Sequence, residues 1–288
     1  MKTLFVDCSH MLIRCLFSQK ELIGNPNPDF SLHKHLFLST LIANIKKFEP
    51  EEVVIAIDDK NNWRKHIYPE YKANRKEKRD KDLFPWDLYY AYVDVFLAEV
   101  KEIFPFKMIQ IPYAEADDVI AILARNSPEK SVVITSDGDY IQLLKEHRIR
   151  IWDPIKAQYM EDADPAKTLH IKILAGDSGD NVPNVKPKLG PKTAEKLIAG
   201  GELDKYLAEN NLTANYERNK TLVDWDYIPD VVKKRILETY YDTQTKDFKE
   251  KDFFMFCLRN RLRAISEQSQ EIGFLMRTLN KPKEEMFE

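Results

Sequence analysis

Short apolar segments rich in β-branched residues recur along the first half of the chain. They lie at residues 3–6, 52–57 and 131–135. Acidic residues follow them at once, namely Asp7, Asp58 and Asp59, and Asp137 and Asp139. Segments of this kind are typical of strands buried on both faces of a parallel sheet. Because the carboxyl ends of parallel strands meet at one edge, we expect these carboxylates to lie together.

Helical periodicity separates these predicted strands. Residues 36–48 and 88–104 carry apolar side chains at helical spacing, and residues 149–153 read as a further strand. The alternation predicts an α/β fold, with a central, mostly parallel sheet and helices on both faces. Later residues show only helical patterns, at 203–212 and 231–241. We therefore expect an α/β domain over residues 1–165 and a helical domain over residues 166–288.

The composition is typical of a globular protein with a charged surface. The 288 residues are 43% hydrophobic and 32% charged, and the longest aliphatic run, residues 53–57, is far too short to span a membrane. The first seven residues reach an acidic side chain before a secretory signal could form. The three cysteines are scattered, which indicates reduced thiols. We expect a cytoplasmic protein, in the host cytoplasm if a phage encodes it.

The net charge of −3 conceals a strongly basic segment. Residues 60–81 contain nine basic and three acidic side chains, a local net charge of +6, with aromatic residues interleaved. Basic side chains next to flat rings suit a nucleic-acid strand, because cations bind phosphates and rings stack on bases. A solvated helix face beside ordinary core aromatics would show the same composition. The segment alone does not decide between them.

Two further segments add acidic residues. Pro112 precedes a helix whose first turn holds Glu115, Asp117 and Asp118, three acids in four residues. The alternative reading is that they only complement the helix dipole. Residues 175–183 read as a loop that carries two more, Asp177 and Asp180.

The candidate ligands share one chemistry, carboxylate oxygen with no histidine or cysteine. They are Asp7, Asp58, Glu115, Asp117, Asp118, Asp137, Asp139, Asp177 and Asp180. Such a set favours Mg²⁺, with Mn²⁺ as a substitute, over zinc. Nine acids exceed what one Mg²⁺ needs and suffice for two ions, an arrangement that supports phosphodiester hydrolysis.

Five segments in a fixed order resemble the flap endonuclease and 5′-3′ exonuclease superfamily. They are residues 5–7, 57–75, 115–118, 136–143 and 176–183. Residues 84–87 and 222–230 are also similar to the branch formed by the RNase H of T-even bacteriophages. The resemblance implies a basic helical arch at about residues 60–90, a helix–three-turn–helix DNA-binding element at about 168–200 and a helical C-terminal domain.

The resemblance also implies roles for individual residues. One ion would lie among Asp7, Asp58, Glu115, Asp117 and Asp137. The second would involve Asp139, Asp177 and Asp180, with Asp118 near or bridging. The residues with implied catalytic roles are Lys72, Arg75, Asp117 and Asp137. DNA contacts fall to Arg64, Tyr71, Lys72, Arg75, Lys188, Lys192 and Thr193, and Tyr71 would stack on a terminal base.

The implied function is a Mg²⁺-dependent, structure-specific 5′-nuclease. It would have 5′-3′ exonuclease, flap endonuclease and RNase H activity, and would remove RNA primers and 5′ flaps during DNA replication. The implied partners are flapped, forked or nicked duplex DNA, RNA–DNA hybrids and a single-stranded DNA-binding protein, with the chain itself a monomer. Two alternatives stay open, a single-strand ribonuclease of the related small-nuclease fold and a non-catalytic DNA-binding replication subunit.

Overall fold

A computed structural model describes residues 2–19, 25, 28–81 and 84–281. Its sheet has six strands in the order β3-β2-β1-β4-β5-β6. The strands are β1 (Thr3–Asp7), β2 (Glu52–Ile57), β3 (Lys107–Gln110), β4 (Ser131–Ile134), β5 (Ile149–Asp153) and β6 (Gln158–Tyr159). Every pairing is parallel except that of β5 with β6. The mostly parallel sheet predicted from the sequence is confirmed, and β3 and β6 are additions to it.

The helices are interspersed with the strands and then continue alone. They are α1 (Cys8–Phe17), α2 (Ser31–Phe48), α3 (Arg64–Ile67), α4 (Ala73–Asp80), α5 (Trp86–Ile103), α6 (Ala116–Asn126), α7 (Pro165–Ala175), α8 (Pro191–Ala199), α9 (Leu203–Glu209), α10 (Thr213–Val223), α11 (Asp230–Asp242), α12 (Glu250–Arg259), α13 (Arg263–Ser266) and α14 (Ser269–Thr278). Two 3₁₀ helices lie at Gly138–Lys145 and Trp225–Tyr227.

Successive strand residues point to opposite faces of the sheet and enter different cores. In β1, Leu4 and Val6 join one core, whereas Phe5 joins the other. The first core packs α1, α2, α5 and the C-terminal helices α12 and α14 on one face. The second packs α6 and α11 on the opposite face. Both faces are therefore covered, as the nearly continuous apolar strands predict.

A third, smaller core holds helices α7–α10 together and includes Tyr71 from the basic segment. The helix–three-turn–helix element implied at about residues 168–200 coincides with α7, α8 and the loop between them. The predicted arch corresponds to α3, α4 and the start of α5, and residues 82–83 of it lie outside the described residues. The domain division at residue 165 stays a prediction, although the first two cores each combine side chains from both sides of it.

Two expectations from the composition concern the cysteines, expected to be reduced thiols, and membrane-spanning segments, of which none was expected. Cys8, Cys15 and Cys257 are free and buried. Among helices of the described ranges, none is long and apolar enough to cross a membrane.

Candidate metal and nucleic-acid site

The carboxyl ends of β2, β1 and β4 bring three acidic residues together. These strands are neighbours in the sheet, and Asp58, Asp7 and Asp137 follow or end them in turn. Asp7 is buried and accepts hydrogen bonds from the backbone N–H of His10, at 3.0 Å, and from the Tyr140 hydroxyl, at 3.1 Å. Burial, and then the charges of Asp58 and Asp137, raise the pKa of Asp7 to about 7. The edge predicted from the sequence therefore concentrates negative charge.

The first turn of α6 adds a second set of carboxylates. Glu115, Asp117 and Asp118 can each present an oxygen within 4.8 Å of the others. Glu115 and Asp118 also form a capping box, in which each side chain accepts a backbone N–H at the helix start. Two of these acids therefore have a structural role at the helix start. The capping box does not account for the third.

Asp117 is the residue of this turn that best fits a divalent cation. Its Oδ1 atom is buried and finds no hydrogen-bond partner among the described residues. Burial, and then the charges of Glu115 and Asp118, raise its pKa well above the usual range for aspartate. A buried carboxylate oxygen without a donor is costly unless a cation or a proton satisfies it. The chemistry of the donor set therefore fits a hard divalent ion.

Arg64 and Asp118 form a buried ion pair beside this turn. The Nη2 atom of Arg64 lies 2.7 Å from Oδ1 of Asp118, and Trp63 Nε1 donates to Oδ2 at 2.9 Å. Asp118 is fully buried, and both of its oxygens accept hydrogen bonds. This geometry favours a role for Asp118 in positioning the turn, beside the metal-ligand role predicted for it.

Two residues expected to contact DNA are buried in this structure. Arg64 is only 2% exposed and Tyr71 only 3%. The Tyr71 hydroxyl lies 3.0 Å from a carboxylate oxygen of Glu115 and 3.0 Å from one of Asp180, so it can donate its one hydrogen to either, and its ring packs in the third core. Neither side chain is accessible to a nucleic acid in this structure. The expectation that Tyr71 stacks on a terminal base is therefore corrected. Apolar contacts and carboxylate partners hold both residues inward.

A second acidic group forms where the 3₁₀ helix after β4 meets the loop after α7. Oxygens of Asp139, Asp177 and Asp180 can all lie within 4.8 Å of one another. The loop turns sharply at Gly176, whose φ is +71°, and a Cβ atom there would lie 2.4 Å from the Val182 carbonyl oxygen. Only glycine therefore fits at this turn. The close approach brings Asp177 and Asp180 back towards Asp139.

The base of the arch is docked onto this loop by its basic side chains. Lys72 pairs with Glu115, and its Nζ atom lies 3.6 Å from Asp180 Oδ2. Arg75 Nη2 lies 2.5 Å from Asp180 Oδ1, and the backbone N–H of Lys72 donates to the Asp180 carbonyl oxygen at 2.8 Å. Lys72 thus spans the two acidic groups. Although burial alone would raise the pKa of Glu115, Lys72 and Arg64 hold it at about 2.

Exposed residues at the start of α8 form the remaining part of the predicted interface. Lys188, Lys192 and Thr193 are all exposed. Lys188 has a φ of +69°, a backbone conformation that glycine normally supplies. The start of a helix presents free backbone N–H groups, so the start of α8 can bind a phosphate group.

Sequence reasoning missed two side chains that touch the acids and a third that contacts a neighbour of one. Lys172 lies between Asp139 and Asp177, Tyr140 donates to Asp7, and His10 Nε2 lies 2.7 Å from Ser136 Oγ, next to Asp137. Lys172 lies in the last turn of α7, where basic residues are ordinary helix-end features. Only the fold shows which acids these side chains meet.

Known proteins with a similar sequence or fold are named as nucleases. The chain is 28% identical over 249 residues to Ribonuclease H of Enterobacteria phage T4, covering 78% of this chain and 80% of that protein. It is 30% identical over 231 residues to the 5′-3′ exonuclease of Buchnera aphidicola, covering 76% and 75%. A crystal structure of the bacteriophage T5 flap endonuclease with DNA and metal ions has the same fold, with a TM-score of 0.65 at 20% identity over 84% of this chain and all of that one.

The family match agrees with the resemblance drawn from the motifs. Residues 2–170 match the family described as 5′-3′ exonuclease, N-terminal resolvase-like domain. This span contains β1–β6, the arch and the first seven of the nine candidate ligands. The chain belongs to the 5′-3′ exonuclease family of nucleases.

Proposed function

We propose that this chain is a structure-specific 5′-nuclease that hydrolyses phosphodiester bonds with two Mg²⁺ ions, for which Mn²⁺ can substitute. The observation that carries the proposal is the pair of three-acid groups, one on α6 and one at the loop after α7, spanned by Lys72 of the arch. Metal-dependent phosphodiester cleavage requires clustered carboxylates that hold the ions, next to basic side chains that can bind a nucleic-acid strand.

Each acidic group would hold one ion. Asp7, Asp58, Glu115, Asp117 and Asp137 would hold the first, and Asp139, Asp177 and Asp180 the second, with Asp118 beside them. When bound, the ions supply Lewis acidity to the scissile phosphate and its attacking water. Arg64 keeps the α6 turn in place through Asp118. Asp117 and Asp137 act as catalytic carboxylates at the first ion.

The basic side chains would bind and orient the substrate. Lys72 and Arg75 lie beside the acids and would offset the charge that develops on the scissile phosphate. Lys188, Lys192 and Thr193 at the start of α8 would hold the duplex backbone without reading its sequence. Arg64 and Tyr71 would act by shaping the base of the arch, because both are buried.

The names of the relatives indicate the substrates. They are called ribonuclease H, 5′-3′ exonuclease and flap endonuclease. We infer that this chain removes RNA primers and 5′ flaps during DNA replication, acting on flapped, forked or nicked DNA and on RNA–DNA hybrids. A single-stranded DNA-binding protein as partner and a monomeric state are part of the same proposal.

A cleavage assay on a 5′-labelled flap substrate tests this function. We expect cleavage with Mg²⁺ or Mn²⁺, none with EDTA, and undetectable cleavage by Asp139→Asn and Asp177→Asn. Both variants should still bind the substrate in an electrophoretic shift assay with Ca²⁺. Asp230→Asn, a change at an exposed residue of α11, is the matched control. Full cleavage in EDTA, or by both variants, would contradict the proposal.

A further inference from the structure

Lys172 joins two acids of the second group that come from different parts of the fold. Its Nζ atom contacts a carboxylate oxygen of Asp139 and lies 2.7 Å from Oδ2 of Asp177. Asp139 belongs to the 3₁₀ helix after β4, whereas Asp177 belongs to the loop after α7. The lysine side chain is 23% exposed, so these contacts are made in a sheltered position.

The same oxygens would have to bind the second ion. Mg²⁺ coordinates carboxylate oxygens at about 2.0–2.1 Å and demands near-ideal geometry. An ammonium group in contact with both carboxylates occupies the space and the lone pairs that such an ion would use. The two cations also repel each other strongly at this separation. Lys172 and a second divalent ion therefore exclude each other in the arrangement seen here.

The first group differs in this respect. Asp117 Oδ1 is buried and has no hydrogen-bond partner among the described residues, so it can coordinate a cation without displacing one. In the second group, Asp139 and Asp177 share Lys172, and Asp180 is paired with Arg75. The first group also contains paired carboxylates, because Glu115 contacts Lys72 and Asp118 contacts Arg64. What distinguishes the two groups is the Oδ1 atom of Asp117, unpartnered within the described ranges, which an entering ion can use at once.

We propose that Lys172 is an internal competitor for the second metal ion. It holds Asp139 and Asp177 together until the second ion binds, and then turns away from them. The second group thus fills after the first and needs a higher concentration of free metal. This inference rests on the proposed two-metal function, and it makes Lys172 a positioning residue that sets when both ions are present.

Calorimetric titration of the full chain with Mn²⁺ tests the competition. Lys172→Met keeps the length of the side chain and removes its charge, and we expect it to tighten binding of the second ion about tenfold or more. Lys167→Met removes an exposed lysine from α7, the helix that also carries Lys172; Lys167 pairs with Glu195 of α8, and the change should leave both affinities unchanged. An unchanged or weaker second affinity in Lys172→Met would overturn the inference.

Amine labelling of the wild-type protein provides a second test that does not depend on the variant folding. With mass-spectrometric readout, labelling of Lys172 should increase several-fold when Mg²⁺ is added to the EDTA-treated protein, whereas labelling of Lys167 should not change. Unchanged Lys172 labelling while two ions are bound would refute the competition. If calorimetry shows that neither the wild type nor Lys172→Met binds a second ion, the proposed two-metal function itself fails.

Discussion

The Nη2 atom of Arg64 lies 2.7 Å from Oδ1 of Asp118, and the two side chains are only 2% and 0% exposed. Nη1 of the same guanidinium lies 2.9 Å from Oε2 of Glu115. Arg64 begins α3 at the base of the arch, and the two acids belong to the first turn of α6. One buried cation therefore ties the arch to the turn that carries the candidate ligands of the first ion.

Replacing this arginine should destabilise the protein strongly. Arg64→Met removes the buried cation shared by Glu115 and Asp118, and losing one member of a buried ion pair costs about 3–5 kcal/mol. Urea denaturation in EDTA measures the change in the free energy of unfolding. Arg263→Met is the control, because Arg263 is 91% exposed and its ion pair with Glu267 is worth less than about 1 kcal/mol. Equal losses in both variants would show that the Arg64 pair contributes no more than a surface pair.

The raised pKa of Asp7 predicts a pH-dependent stability. The folded protein holds this proton up to a pH of about 7, whereas the unfolded chain releases it near 3.8. Between these values the folded state binds more protons, so the stability of the wild type falls as the pH rises. Asp7→Asn removes the charge, and in EDTA we expect it to be the more stable protein at pH 8, by up to about 4 kcal/mol.

The difference in stability between Asp7→Asn and the wild type should shrink towards zero near pH 4. Urea denaturation at several pH values measures it, and Asp230→Asn, at an exposed position, should show no such trend. A variant that is less stable than the wild type at pH 8 would contradict the burial and repulsion inferred at this edge.

The sequence predicted the acidic edge well, because strand ends follow from local patterns. The three apolar segments are strands β1, β2 and β4 of one sheet. Asp7 ends β1, Asp58 directly follows β2, and Asp137 comes shortly after the end of β4. β3 and β6 were not predicted, since four and two residues are too short for a periodic signal. The predicted strand at residues 149–153 is β5.

Side-chain direction was the part that the sequence could not supply. Tyr71 lies in a basic, aromatic-rich segment, yet a hydrophobic core formed by distant helices covers its ring. Lys172 is separated by 33 residues from Asp139, which it contacts. Such contacts depend on tertiary packing, which overrides what neighbouring residues suggest. The motifs therefore identified acids that the fold brings together, but they did not identify Lys172, which joins two of them.

Gly176 predicts a graded series of alanine variants. At Gly176 a side chain meets both a φ of +71° and a carbonyl oxygen 2.4 Å from the new Cβ atom. At Gly201 the φ of +65° is the only obstacle, and at Gly190 the φ is −86° with no atom within 4 Å of the new Cβ. We expect losses of about 3 kcal/mol or more for Gly176→Ala, about 1 kcal/mol for Gly201→Ala and little for Gly190→Ala. Thermal unfolding followed by circular dichroism gives the ranking, and a different order would mean that the loop after α7 can relax.

The exposed lysines at the start of α8 predict a salt-dependent loss of duplex affinity. Each phosphate contact adds about 0.9 to the slope of log affinity against log salt concentration. Lys188→Ala and Lys192→Ala should therefore each weaken binding of a blunt DNA duplex and lower that slope by about 1, equally for different sequences. Fluorescence anisotropy over about 50–200 mM salt, in Ca²⁺, measures both quantities. Lys234→Ala, on the exposed side of α11 and paired with Glu238, should change neither. An unchanged slope in the α8 variants would place the duplex elsewhere on the protein, because a lysine that contacts a phosphate cannot be removed without reducing the number of ions released on binding.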